Sequence, residues 1–372
     1  MTVDSKPREA LPLVEFDRTL HDYYALDGGN PDEVALMLAL VPPIQPVAAS
    51  QPENKKYTWQ SPARPNLDKD LFARICLANA ALNHTVGIGP MKLYLFDLDP
   101  PEYDVQNGLV ESPPGPRTDA AKVPAGVEVS PYPPQDFLDD KPTIMSQELH
   151  YRLLSKRELA FSGLPTPHTD VVDTLLGPAD MADDVKVEAE SQRILETIRA
   201  HKFPFVIKFP LAVAGQGVFV VRDAAQLAAA EKAGRLAEEI PRMLRSIRED
   251  NAHLNPAGLC LQDVVEGGTT RNLSIFVTKT GRAEFLSCCE QFLDKDDGIW
   301  RGSIIDYERQ AEFEKQYRPI CDQIAAYVHG FGFYGPMGGD IMTDGEGNQF
   351  IVDLNTRITG DVIMGTLARA LL

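Results

Sequence analysis

Cysteine is scarce in this sequence, and its placement suggests no task for it. Five residues, Cys76, Cys260, Cys288, Cys289 and Cys321, are scattered with no CxxC pair and no histidine cluster at zinc spacing. That leaves no readable disulfide framework or zinc site and points to reduced structural thiols. Long apolar runs are also missing. The longest early one, "VALMLALV" from Val34 to Val41, follows acidic residues and stops at Pro42-Pro43. It is too short to span a bilayer and lacks the basic start of a signal peptide, so it reads as a buried helix in a cytoplasmic protein with no membrane partner. Basic charge is low: 36 Lys and Arg stand against 54 Asp and Glu, a formal net charge of −18. A nucleic-acid partner would call for a basic face and is excluded, whereas a local basic pocket for a small phosphorylated ligand is not. No histidine pairs with a nucleophile in a readable motif, and His150, His168 and His329 read as structural.

What is present is enough for two or three domains: 372 residues with an ordinary apolar and charged content. Residues 1–145 are irregular. They hold a helix-like "LDKDLFARICLANAALNH" from Leu67 to His84 and a strand-like "MKLYLFDLD" from Met91 to Asp99, followed by nine prolines between Pro100 and Pro134. That composition breaks helix and sheet alike and predicts a linker over 100–134. Order increases from Ser146. "SQELHYRLLSKRELAFSG" predicts one helix ending at Gly163, and "DDVKVEAESQRILETIRAH" a second. Strands are expected at "FPFVIKF", "VFVV", "LCLQDVV", "RNLSIFVT", "GDIMT" and "NQFIVDLN", with a helix opened by Asp223 and a turn at "DGEG".

Two clusters carry chemistry. In "QFIVDLNTRITG", Asp353, Asn355 and Arg357 alternate and so share one face of a strand. A turn centred on Glu346-Gly347 sets Asp340 opposite Asp353. Opposed Cβ atoms lie roughly 5 Å apart, where like charges repel, so a buried pair needs a cation or a proton. Two carboxylates with one amide oxygen suit Mg²⁺ or Mn²⁺ rather than zinc, and Arg357 adds a permanent cation for a phosphate or carboxylate. On a solvated hairpin the same acids would merely face water. The second cluster is "FPFVIKFPLAVAGQGVFVV". Lys208 sits among Phe205, Val206, Ile207 and Phe209 and would be costly to bury without an anion, while Gly215 and Gly217 allow a ligand close to the backbone. This is a phosphate-binding arrangement, though not a Walker loop, since GxxxxGK[ST] is absent. A lysine snorkelling from a strand edge is the alternative. "GIGP" at Gly87 to Pro90 lacks the third glycine and preceding strand of a dinucleotide fingerprint.

In chain order, a strand lysine with its glycine loop, then "LQDVVEG", then paired acids with "DLNTR", resemble the ATP-grasp superfamily of ATP-dependent ligases. The resemblance runs from about Ser146 to the end, and its most specific part is Asp340 with Asp353, Asn355 and Arg357. It implies an α/β (α+β) fold of two lobes sandwiching ATP, at 146–265 and 266–372, preceded by an irregular α/β region. It further implies that Asp340, Asp353 and Asn355 hold the metal and that Arg357 meets the transferred phosphoryl group or acyl phosphate. Lys208 would bind the α and β phosphates, and Gly215, Gln216 and Gly217 would cover them. Gln262 would orient adenine, Asp263 and Val265 would offer backbone contacts, and Glu266 would take the ribose hydroxyls, unless that role falls later, near Thr270, Arg271 and Asn272. The first phosphate-binding cation is expected a dozen residues before "GLPTP"; Lys156 and Arg152 both come close, with Lys156 favoured.

The activity so implied is an ADP-forming carboxylate–amine ligase with ATP and Mg²⁺ (or Mn²⁺) as cofactors and small-molecule acid and amine substrates. A homodimer is compatible with it. A phosphotransferase of the same fold and a non-catalytic nucleotide-binding module are the alternatives. "CCEQFLDKDDGIWRGSIIDY", with Gln291, Lys295, Trp300 and Arg301, is either the acceptor pocket or a surface loop. The sequence ends at "MGTLARALL", in what reads as a helix after the metal strand, which leaves open both a short member and one lacking a C-terminal part.

Overall fold

The computed structural model of the chain describes residues 16–38, 54–60, 87–95, 125–130, 133–212, 217–233, 235–293 and 300–367. A short helix, α1 (Leu20–Tyr24), leads to strand β1 (Val34–Leu38). In the described part of the run expected as a helix, Val34–Leu38 is therefore a strand, and residues 39–41 lie outside the described ones. The strand lies between β2 (Lys92–Leu95) and β3 (Glu128–Val129) and runs parallel to both. A parallel strand paired on both edges calls for a continuous apolar run, and so short a run carries no period that separates strand from helix. β3 also falls inside the expected linker, whose residues 100–124 lie outside the described ones, as does the segment Leu67 to His84.

The helix expected over 146–163 is broken in two: α2 (Gln147–Leu154), capped by Ser146, and α3 (Lys156–Ala160). Between them Ser155 is extended (φ −77°, ψ 124°), and the Lys156 N–H leaves the helix to reach the Pro210 carbonyl at 2.9 Å. Next come β4 (Thr169–Val172), α4 (Asp184–Ala200), β5 (Phe205–Lys208), β6 (Val218–Val221), α5 (Ala224–Ala233), α6 (Leu236–Arg245) and β7 (Leu259–Asp263). Asp183 caps α4, and the Asp223 carboxylate accepts from the Gln226 N–H at 2.8 Å to open α5 as expected. The sheet, ordered β4-β7-β5-β6 and antiparallel throughout, packs Phe205, Ile207 and Leu261 against Ile194, Ile198, Ile240 and Leu244. By alternation Lys208 projects from the opposite face.

A second antiparallel sheet is built from β8 (Thr269–Val277), β9 (Ala283–Leu293), β10 (Trp300–Ile305), β11 (Gly335–Thr343) and β12 (Gln349–Asn355), in the order β10-β9-β8-β11-β12. Strands β9 and β10 occupy the described parts of the stretch expected as a pocket wall or loop; residues 294–299, with Lys295, lie outside the described ones. One face of the sheet is covered by α7 (Gln310–His329), which buries Ile320, Ile324 and Val328 against Leu273, Ile275, Met337, Ile341 and Leu354. Each such side chain fully buried contributes about 1.5–3 kcal/mol. The acids of β11 and β12 are left on the other face. Helix α8 (Gly360–Gly365) closes the described chain.

Candidate active site

The hairpin of β11 and β12 places Asp340 directly opposite Asp353, and β8 extends the row by setting Asn272 opposite Asp340. The ladder slips by one residue beyond Asp340, where Ile341 pairs with Ile351, so Val352 is the extra residue of a β-bulge. Its carbonyl accepts from Lys208 Nζ at 3.1 Å, which brings the first sheet against the edge strand of the second. Lys156, the first residue of α3, reaches the same strand: its Nζ lies 3.0 Å from Asp353 Oδ2 and 3.5 Å from the Ala212 carbonyl. Both lysines are buried. The two-part helix is thus what turns the Lys156 side chain inward. Arg152, the other candidate, pairs with Glu158 on the surface, with its side chain 43% exposed.

Charge in this cluster is strained by burial. The Lys208 ammonium is pushed down to about 8, first by burial; Asp353 opposes that fall and Lys156 adds to it. Asp340 is pushed up to about 7, again first by burial and then by the facing Asp353, against the Asn272 amide. Asp340 Oδ1 accepts from Asn272 Nδ2 at 2.8 Å and from Gln291 Nε2 at 2.7 Å. Asn355 Oδ1 accepts from Arg357 Nη2 at 3.1 Å. Cys260, the register partner of Lys208, has its thiol raised to about 12 by burial, which rules it out as a nucleophile near neutral pH.

Among the described residues no group of three His, Cys, Asp or Glu side chains is placed to hold a metal ion by itself. A cation here would rest on Asp340, Asp353 and the Asn355 amide. The donor set fits a hard divalent ion: all three ligands are oxygens, two part-buried acids face each other, and an amide oxygen has a second lone pair beyond the one Arg357 uses.

The remaining sequence candidates lie elsewhere. Gly217 has φ +74°, and a Cβ there would stand 2.8 Å from the Phe209 ring, so the turn between β5 and β6 requires glycine; Gly215 and Gln216 lie outside the described residues. Gln262 is buried and donates to the Thr169 hydroxyl at 3.0 Å. Asp263, Val265 and Glu266 line a cleft of about 470 Å³ whose other wall includes Asp344, Glu346 and Phe350. The Asp263 N–H is already donated to His168, and Glu266 pairs with Arg222. Asn272, considered near a ribose, stands instead at Asp340, together with Gln291. Those two amides were not readable as partners of Asp340, because only the pairing of strands far apart in sequence brings them there.

Over residues 181–361 the sequence matches the family model described as an ATP-grasp domain. No curated protein matches the chain. Among solved structures it is similar to the biotin carboxylase domain of 2-oxoglutarate carboxylase from Hydrogenobacter thermophilus, at 15% identity over 63% of this chain and 49% of that one, with a TM-score of 0.39. It is also similar to an L-amino acid ligase from Bacillus licheniformis (16%, 59% and 44%, TM-score 0.36) and to phosphoribosylamine–glycine ligase from Thermotoga maritima (15%, 74% and 65%, TM-score 0.46). The chain spans about half the length of the first two. Lys208, Asp340, Asp353, Asn355 and Arg357 all fall within the segment, residues 181–361, that matches the ATP-grasp domain model.

Proposed function

We propose that the chain is an ATP-dependent ligase that joins a small-molecule carboxylate to an amine through an acyl phosphate, releasing ADP and phosphate. The observation that carries this reading is the convergence of two buried ammonium groups, Lys156 and Lys208, on the strand that bears Asp353, with Asp340 opposite. Buried cations and facing acids left in one place suit a metal-bound polyphosphate, which would satisfy both.

In this reading Asp340, Asp353 and Asn355 hold Mg²⁺, which supplies charge neutralisation to the phosphates when bound. Lys208 and Lys156 contact phosphate oxygens, the latter by exchanging its partner Asp353. Arg357, next to Asn355, faces the phosphoryl group as the substrate carboxylate oxygen attacks it and ADP departs. The amine nitrogen then attacks the acyl carbon, the bond to phosphate breaks, and the nitrogen loses its proton. The residues position charge and need no covalent nucleophile, in keeping with the inert buried thiols. Gly217 would shape the phosphate-facing turn, with Gly215 and Gln216 beside it. The cleft along Asp263, Val265 and Glu266 would take the adenosine, with the buried Gln262 preceding it on β7.

The test is a screen of carboxylic acids and amino acids for ADP release, with product masses recorded. ADP together with an amide product supports the ligase. A phosphorylated product without amide makes the chain a phosphotransferase, and nucleotide binding without any ADP makes it a binding module.

A further inference from the structure

Residues 54–60, far ahead of the matched domain in sequence, end against Leu211, next to the carbonyls that hold Lys156. Asp136 accepts from the Lys55 and Lys56 N–H groups at 2.8 and 3.0 Å, and the Tyr57 and Trp59 rings pack with Tyr151, Leu154 and Leu211. At the end of this segment Gln60 is 1% exposed. Its N–H donates to the Leu211 carbonyl at 2.8 Å, its Oε1 accepts from the Leu211 N–H at 2.9 Å, and its Nε2 donates to the Pro256 carbonyl at 2.5 Å. One side chain and one peptide thus satisfy both backbone groups of Leu211, as a neighbouring strand would.

Leu211 lies between two residues that hold Lys156. The Pro210 carbonyl takes the Lys156 N–H at 2.9 Å, and the Ala212 carbonyl lies 3.5 Å from Lys156 Nζ. The path from Gln60 through Leu211 to the ammonium is therefore continuous. We propose that Gln60 is a positioning residue of the site, fixing Pro210–Ala212 so that the Lys156 ammonium is held toward Asp353 and the phosphates. This rests on the nucleotide reading given above.

The test compares Gln60→Ala, and Gln60→Met, which keeps the volume, with Asn251→Ala. Asn251 is buried and donates to the Lys55 and Ser246 carbonyls, so it anchors the same segment without touching Leu211. MgATP affinity is measured by calorimetry beside the melting temperature. Both Gln60 variants are expected to weaken MgATP by about fivefold or more, the equivalent of one lost hydrogen bond. Asn251→Ala should lower the melting temperature while leaving affinity within about twofold. In a Lys156→Gln background, Gln60→Ala should weaken MgATP no further. Equal losses of affinity in the Gln60 and Asn251 variants, or additive losses with Lys156→Gln, would overturn the inference. Wild-type affinity in the Gln60 variants overturns it alone, whereas a wild-type protein that does not bind MgATP overturns the nucleotide reading as well.

Discussion

Lys156 Nζ lies 3.0 Å from Asp353 Oδ2, with the lysine side chain 6% and the aspartate 22% exposed. The pair ties the first residue after the Ser155 break to the edge strand that bears Asp353, and it places a cation able to leave for a phosphate beside an acid able to turn to a metal.

Removing the lysine leaves a part-buried carboxylate with less of its compensating charge, and removing the carboxylate leaves a buried ammonium. Lys156→Gln should destabilise the protein on the order of 3 kcal/mol and abolish measurable ADP release. Arg152→Gln, which breaks a half-exposed pair with Glu158, should cost under about 1 kcal/mol and leave ADP release intact. Denaturant melts and an ADP assay on both variants separate the two candidates for the first phosphate-binding cation.

Asp340 carries a pH signature. Its folded-state pKa of about 7 lies above its ordinary value of 3.8, so the native state binds the proton more tightly than the unfolded chain does. The contribution to stability is fully present below the unfolded value and is lost as pH rises through 7. Asp340→Asn keeps an oxygen for the Asn272 and Gln291 amides, so it should remove that loss and raise the melting temperature of the nucleotide-free protein at pH 8. A variant as pH-sensitive as wild type between pH 5 and pH 8 would show that the burden lies on another group.

Lys208 works in the other direction. Its ammonium, lowered from 10.5 to about 8 by burial, is charged below pH 8 and neutral above it. A phosphate needs the charged form, so nucleotide affinity should be greatest below pH 8 and fall as pH rises beyond it, by up to about tenfold per unit until the bound-state value is passed. Lys208→Met should bind weakly at every pH. Titrations at pH 7 and pH 9 decide the matter.

Much of this site was legible because it is local. The DGEG turn makes β11 and β12 neighbours, with the Val352 bulge supplying the one-residue slip that sets Asp340 against Asp353, and Lys208 stands out as a charge among apolar neighbours. The helix break at Ser155 was not legible, since SKRELA contains no glycine or proline and the Lys156 N–H goes to Pro210, far along the chain. Val34 to Val41 was misread for a related reason: its strand pairs with residues beyond position 90, and pairing rather than local pattern decides its state. The parts that escaped, Asn272, Gln291 and Gln60, all act through partners distant in sequence.

Gly217 offers a check on the turn between β5 and β6. Gly217→Ala would force a side chain into positive φ and against the Phe209 ring, costing about 1–2 kcal/mol from the backbone alone. A melting curve should show the loss, and an unchanged melting temperature would mean the turn adopts another shape.

The most direct test of the central claim, that Asp340 and Asp353 hold a metal against a nucleotide's phosphates, is the Mg²⁺ dependence of ATP binding in wild type and in Asp353→Asn, followed by calorimetry. Wild type should bind ATP more tightly with Mg²⁺ than without it, and the variant should lose that difference. The same Mg²⁺ dependence in both proteins would contradict the account.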